Sequence, residues 1–249
     1  MHDCQILKFS NSTDLYQNII KDVFLLSQNF QNIGLSGGSS PRRLYELMTI
    51  DQRINWLKFS FFQVDERFVG SESPDSNQKM ITHAFGYNSQ LLSQFQPFDV
   101  SQNSSQDNSQ NILKSIEQYS IILPKNGLDV CFLGFGIDGH FASIFPADYW
   151  ENQNQNTPEQ KDKIEGFKQL LESQNKVLHT ISKPPYLVPD RLTLSPQYIL
   201  KSQKIVVILI GKEKKAILQA FEDNILESYE FPANFLHNHK NLVFYCCFE

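Results

Sequence analysis

From Lys204 to Ile210 the chain reads KIVVILI, an apolar run that does not alternate with polar residues, as expected for a strand buried on both faces. Leu128–Leu133 (LDVCFL) and the aromatic-rich Trp56–Val64 (WLKFSFFQV) have the same character, and a shorter strand is predicted over Asn32–Leu35. A sheet with two buried faces needs helices on both, and helical patterns lie between these runs. Leu15, Ile19, Val23 and Leu26 fall on one helical face between Asp14 and Phe30. Ser40-Pro41 restarts a helix through Leu44, Leu47 and Met48, with serine as its cap and proline at its first position. Glu213–Leu226 reads as another. Strands alternating with helices imply right-handed crossovers, hence an α/β fold with a mostly parallel sheet sandwiched by helices.

The 249 residues suffice for one large α/β domain, and 1–249 is expected to be a single unit. The amide-rich segments 88–111 and 149–159 carry too few apolar residues for core and are expected to be surface loops. A net charge of −5 gives no electrostatic reason to gather on nucleic acid or an anionic membrane. No apolar run approaches the roughly 20 residues of a membrane helix, and MHDCQILKFS lacks a signal-peptide core, so a cytoplasmic location is expected. Cys4, Cys131, Cys246 and Cys247 form no C-x-x-C pair and read as reduced thiols. His237-x-His239 lies in a polar stretch and is expected at the surface; no metal site is expected.

In open parallel sheets ligands bind beyond the carboxyl ends of the strands, so the residues just after each strand decide the chemistry. After the first come Ser36, Gly37, Gly38, Ser39, Ser40 and Pro41, small residues leading into a helix N-terminus, where free N–H groups and the helix dipole favour an anion such as phosphate. A tight turn and cap would use the same residues. No Gly-Lys-Ser/Thr comes next and G-x-G-x-x-G is missing, which disfavours ATP and NAD. After the second strand come Asp65, Glu66 and Arg67, either cleft charges or a solvated cluster. After the third, Gly134-Phe135-Gly136-Ile137-Asp138-Gly139-His140 puts a histidine at a predicted strand-to-helix junction, where it can take a proton from water while a nearby carboxylate fixes its tautomer. After the fourth, Gly211-Lys212-Glu213-Lys214 offers a cation, and spacing does not separate Lys214 from Lys212 or Lys215. Arg191, in Pro189-Asp190-Arg191-Leu192-Thr193, is ambiguous by itself.

In this order, the Leu35–Pro41 loop, Val64–Arg67 with Asp75-Ser76-Asn77, Leu133–His140 with Ala142-Ser143 and Phe145-Pro146, Arg191-Leu192-Thr193 and Gly211–Lys214 resemble the 6-phosphogluconolactonase family of the sugar-phosphate isomerase superfamily. The related glucosamine-6-phosphate deaminases usually carry tyrosine where Arg67 stands, and asparagine and glutamate after the histidine motif. Ser40 in place of a commoner threonine, Gly70 in place of a frequent proline, and a short end at Phe248-Glu249 are the departures. The resemblance implies a modified Rossmann-like fold of the sugar-phosphate isomerase type, with the Ser36–Ser40 loop, Arg191 and Lys214 holding phosphate. It implies Asp65 and Arg67 at the sugar ring and lactone, and His140 activating water with help from Asp138. No metal or organic cofactor is implied. The substrate would be a sugar-phosphate lactone, the chain a monomer with a functional link to glucose-6-phosphate dehydrogenase. An amino-sugar-phosphate deaminase and a non-catalytic sugar-phosphate sensor are the alternatives.

Overall fold

The computed structural model describes residues 4–26, 29–100, 108–147, 158–182 and 186–249, with the backbone alone at 159 and 160. Strand β1 (Gln5–Lys8) leads to helix α1 (Ser12–Ile20), capped by the Asn11 side chain and continued by a π-helical turn over Lys21–Leu25. β2 (Asn32–Leu35) and α2 (Ser39–Met48) come next, then β3 (Ser60–Gln63) and β4 (Asp65–Arg67). After them stand α3 (Asn77–Phe85), α4 (Ser89–Gln94), β5 (Phe95–Gln96) and α5 (Ser109–Ile122). The second half holds β6 (Val130–Leu133), α6 (Pro158–Glu172), β7 (Val177–Ile181), β8 (Asp190–Leu194), α7 (Pro196–Leu200), β9 (Lys204–Ile210), α8 (Lys214–Asp223) and β10 (Leu242–Cys247).

Seven strands form one sheet in the order β1-β10-β9-β6-β2-β3-β5, every pairing parallel, as the sequence predicts. Side chains alternate across its two faces. Val130 and Phe132 of β6 and Val206 and Ile208 of β9 enter one core, while Cys131, Leu133, Ile205, Val207 and Leu209 enter the other. A smaller antiparallel sheet, β4-β8-β7, stands beside it. Val64 joins the two: its N–H donates to Leu35 O at 2.9 Å and its carbonyl accepts from Leu194 N at 2.8 Å. The strand order reverses between β2 and β6, because the chain leaves β2 toward β3 on one side and β6 connects toward β9 on the other. That reversal leaves a crevice at the strands' carboxyl ends.

Several expectations change. Trp56–Lys58 is a 3₁₀ turn, and Trp56 is buried against Phe24, Phe59 and Phe61 instead of pairing as strand, so its apolar character reflects packing alone. Gly38, not Ser40, occupies the cap position of α2; Ser39 and Ser40 form its first turn. The 88–111 segment is not a plain loop, since it holds α4 with the buried Leu91, β5 and the start of α5; residues 101–107 lie outside the described residues, as do 149–157. His239 is buried and bonds Ser202 O at 2.7 Å, and His237 stacks on Phe221, so neither is a free surface group. The helix expected to Leu226 stops at Asp223, where Asn224 turns left-handed (φ 48°). No disulfide joins the four cysteines, no His/Cys/Asp/Glu cluster among the described residues could hold a metal ion, and none of their helices is long and apolar enough to cross a membrane.

At the amino end of β6, Asp129 is nearly buried and accepts from Gln31 N (2.9 Å), Asn32 N (2.8 Å), Asn32 Nδ2 (3.2 Å) and Gln203 Nε2. One carboxylate thus fixes where β2, β6 and β9 begin. Asp129→Ala would orphan two backbone donors and is expected to lower unfolding stability by about 2–3 kcal/mol. A urea titration of the variant reads this as a fall in midpoint; an unchanged midpoint would contradict it.

Candidate active site

The loop after β2 is built to leave its amides free. Gly38 has φ 104°, a left-handed region costly for any side chain, and it turns the chain directly into α2. No side chain caps this helix. The carbonyls, by contrast, are tied from behind: Tyr45 Oη donates to Ser36 O at 3.0 Å and Tyr16 Oη donates to Ser40 O at 2.8 Å. Ser36 is 3% exposed and its Oγ has no hydrogen-bond partner among the described residues. Uncapped first-turn amides beside an unpartnered hydroxyl make a seat for an anion.

In β4 three consecutive charges have three fates. Glu66 is fully buried, and its carboxylate accepts from Arg67 N, Asn77 N and Gln78 N (each 2.7 Å), Gln63 Nε2 (2.7 Å) and Ser76 Oγ (3.0 Å). Burial pushes its pKa up against those donors, which favour the ionised form. Glu66 therefore fills the N-terminus of α3 internally, whereas that of α2 stays open. Asp65 accepts a hydrogen bond from Ser143 Oγ at 2.8 Å and turns toward the crevice with Arg67. Arg67 Nη1 donates to Asp75 O at 2.6 Å, and its Nε is buried without a partner among the described residues. Asn77 Nδ2 donates to Asp65 O at 2.9 Å, buttressing the same wall.

The loop after β6 carries a histidine–aspartate pair: His140 Nδ1 lies 2.6 Å from Asp138 Oδ1. A carboxylate there accepts a hydrogen bond from Nδ1–H, which keeps the proton on that nitrogen and leaves the Nε2 lone pair free. Burial works to raise the pKa of Asp138, but hydrogen bonds and charge from His140 outweigh it and hold the carboxyl below its usual value. The pair needs a glycine beneath it, since a Cβ on Gly136 would lie 2.0 Å from His140 Nδ1 and 2.5 Å from Asp138 Oδ1. The predicted strand-to-helix junction is not found. After His140 the chain folds on itself through Phe135–Phe141 and Phe141–Ile144 bridges, with Ala142 at φ 49°.

These segments enclose a cavity of about 240 Å³. Its wall includes Ser36 to Pro41, Asp65, Arg67, Asn77, Gly134 to Gly136, His140 and Lys214. Lys214, and neither Lys212 nor Lys215, reaches the wall; its Nζ donates to Phe135 O at 2.7 Å, and burial lowers its pKa. Asp138 backs His140 from outside the wall. Arg191 is also outside it: the side chain is 4% exposed, its Nε is 3.3 Å from Ser182 Oγ, and its guanidinium lies over the rings of Phe145 and Tyr186. Arg67 and Arg191 stand opposite each other across β4 and β8; burial first and the Arg67 charge second lower the pKa of Arg191, against the nearby Asp65 and Glu66 carboxylates. Three contributors escape a reading of the sequence. Asn77 and Ser143 stand inside the loop motifs but have no distinguishing chemistry of their own, and Tyr186 meets the histidine only through the tertiary fold.

Fold and cavity together define an α/β protein in which the uncapped N-terminus of a helix and a histidine–aspartate pair meet at one cavity. Residues 12–244 match the model of the glucosamine-6-phosphate isomerases/6-phosphogluconolactonase family, and the chain belongs to that family. It is 32% identical over 236 residues to a probable 6-phosphogluconolactonase of Dictyostelium discoideum, covering 92% of this chain and 89% of that one. It is 25% identical to a 6-phosphogluconolactonase of Haemophilus influenzae, covering 81% and 78%. The solved 6-phosphogluconolactonase of Trypanosoma brucei superposes with a TM-score of 0.77 at 24% identity, over 98% of this chain and 96% of that one, a likeness of fold.

Gly136→Ala tests the seating of the pair. The added methyl must displace His140 or Asp138, and turnover is expected to fall by about 100-fold, with the thermal midpoint little changed. Steady-state kinetics beside a melting curve check it.

Proposed function

We propose that the chain hydrolyses 6-phospho-D-glucono-1,5-lactone to 6-phospho-D-gluconate, the second step of the oxidative pentose phosphate pathway. The observation that carries this reading is that the open N-terminus of α2 and His140, whose Nδ1 is engaged by Asp138, line one cavity. A phosphate held by the Ser36–Ser40 loop and Lys214 leaves the sugar to extend toward Asp65, Arg67 and His140. His140 Nε2 takes a proton from water, and the hydroxide attacks the lactone carbon. Charge then develops on the carbonyl oxygen, where the Arg67 guanidinium offers a cation. As the tetrahedral intermediate collapses, the bond from that carbon to the ring oxygen breaks, and the imidazolium returns its proton to the leaving oxygen. Asp138 keeps the ring in the reactive tautomer and stabilises the imidazolium. Asp65 is assigned to a sugar hydroxyl. Arg191, outside the cavity wall, is not needed to hold the phosphate in this reading.

The same proposal takes residues 1–249 as one domain, acting as a monomer in the cytoplasm on lactone released by glucose-6-phosphate dehydrogenase, whose oxidation of the sugar's first carbon makes this substrate.

Lactone hydrolysis is measured on fresh substrate with the spontaneous opening subtracted. His140→Ala is expected to lower kcat by about 10²- to 10⁴-fold. Equal rates for the two proteins would overturn the reading, and ammonia release from glucosamine 6-phosphate by the wild type would replace it with the deaminase. Lys214 gives a second test. Because burial lowers its pKa, its charge is lost as pH rises, earlier than for an ordinary lysine. Affinity for 6-phosphogluconate is therefore expected to fall on the alkaline side below the usual lysine pKa of about 10.4, and Lys214→Arg to remove that fall. Calorimetric titration across this range decides it.

A further inference from the structure

Behind the histidine–aspartate pair stands a phenol that the proposed chemistry does not use. Tyr186 Oη lies 3.2 Å from Asp138 Oδ2 and 3.2 Å from His140 Nδ1. Asp138 Oδ1 is already engaged by the His140 ring at 2.6 Å and by its backbone N–H at 3.2 Å. Since Nδ1 carries the proton of its hydrogen bond to Oδ1, it has no lone pair for the phenol, so the phenol donates to Oδ2. Each oxygen of Asp138 then has a different neighbour, and the carboxylate cannot rotate without losing both. The rings reinforce this arrangement. Tyr186 meets the imidazole edge-on with centroids 5.5 Å apart, and Phe145 covers the imidazole at 4.7 Å and Tyr186 at 5.0 Å. Arg191 then lies over both aromatic rings, 5.8 Å from Phe145 and 6.0 Å from Tyr186.

We propose that Tyr186 is a positioning residue for the His140–Asp138 pair, donating to the outer oxygen of Asp138 and thereby fixing both the orientation of that carboxylate and the basicity of the imidazole. Burial first and the Asp138 carboxylate second raise the Tyr186 phenol to about 12, so it remains a donor throughout the working range. The other charged groups near the pair are Arg191, across the Tyr186 ring, Lys214, which feels the Asp138 charge, and Asp65 and Arg67 on the cavity wall. None of them donates to the outer oxygen of Asp138 among the described contacts. The phenol withdraws charge from Asp138; without it, the carboxylate holds the imidazolium more strongly. Losing the hydroxyl therefore moves protonation of His140 to higher pH and loosens the ring.

The proposal rests on the lactonase reading for its kinetic arm alone. Tyr186→Phe keeps the ring and removes the hydroxyl. It is expected to lower kcat about tenfold, to leave KM within about twofold, and to shift the acid limb of the pH profile upward, all consistent with losing one hydrogen bond to a charged group. Nitrogen-15 NMR of histidine-labelled protein reads the imidazole directly and needs no substrate: in the variant, His140 is expected to titrate at higher pH. In an Asp138→Asn background the same substitution is expected to add little, because its effect passes through the carboxylate. A Tyr186→Phe protein whose His140 titration matches the wild type would overturn the proposal, as would losses that simply multiply in the double variant. A wild type without lactonase activity would remove the function and leave the NMR result to judge Tyr186.

Discussion

Two adjacent strands whose chains depart in opposite directions set everything else in this molecule. β2 and β6 pair in parallel through Ile33 with Val130 and Gly34 with Cys131, yet one connects toward β3 and the other toward β9. Loops leaving neighbouring strands on opposite sides cannot cover the gap between them. The serine–glycine loop and the histidine loop are the two lips of that gap, and Lys214 arrives from the next strand along. Val64, bonded to Leu35 on one side and Leu194 on the other, brings the edge of the small sheet to the same place and delivers Asp65 and Arg67.

Within the crevice the ligand chemistry depends on which polar groups are already satisfied. Two helices begin near it. The N-terminus of α3 is saturated by Glu66, a fully buried carboxylate with five donors, so it has little left for an external anion. The N-terminus of α2 has no side-chain cap and an unpartnered serine hydroxyl beside it. A second contrast separates the acids. Glu66 anchors β4 to α3, Asp65 keeps capacity for a ligand, and Asp138 serves the imidazole. Neighbouring carboxylates thus acquire different roles from the number of donors each finds, more than from their chemical type.

The strands and glycine loops that frame the crevice were legible because they obey local rules. β2, β6 and β9 are buried on both faces, which forces continuous apolar runs, and the loops after them had to be small or polar to meet a ligand. What stayed hidden was non-local. The apolar stretch at Trp56 looks like strand because a 3₁₀ turn packed into an aromatic cluster needs the same residues. The antiparallel sheet that seats Arg67 opposite Arg191 pairs segments more than a hundred positions apart, and neither segment announces its partner. Arg191 and Lys214 illustrate the difference: the resemblance implies both at a phosphate, whereas in the fold Lys214 lines the cavity and Arg191 lies over Phe145 and Tyr186, a distinction only tertiary structure draws. Tyr186 itself comes after two prolines in an ordinary stretch, and its meaning lies wholly in the pair it touches.

The central claim is one of placement: an anion at the start of α2 holds the reacting carbon beside His140. A crystal structure of the wild-type protein with 6-phosphogluconate bound measures this directly. The account predicts phosphate oxygens on the amides of the 36–40 loop and on Lys214 Nζ, with the sugar acid's carboxylate between His140 Nε2 and Arg67. A phosphate bound elsewhere, or a carboxylate pointing away from His140, would contradict it.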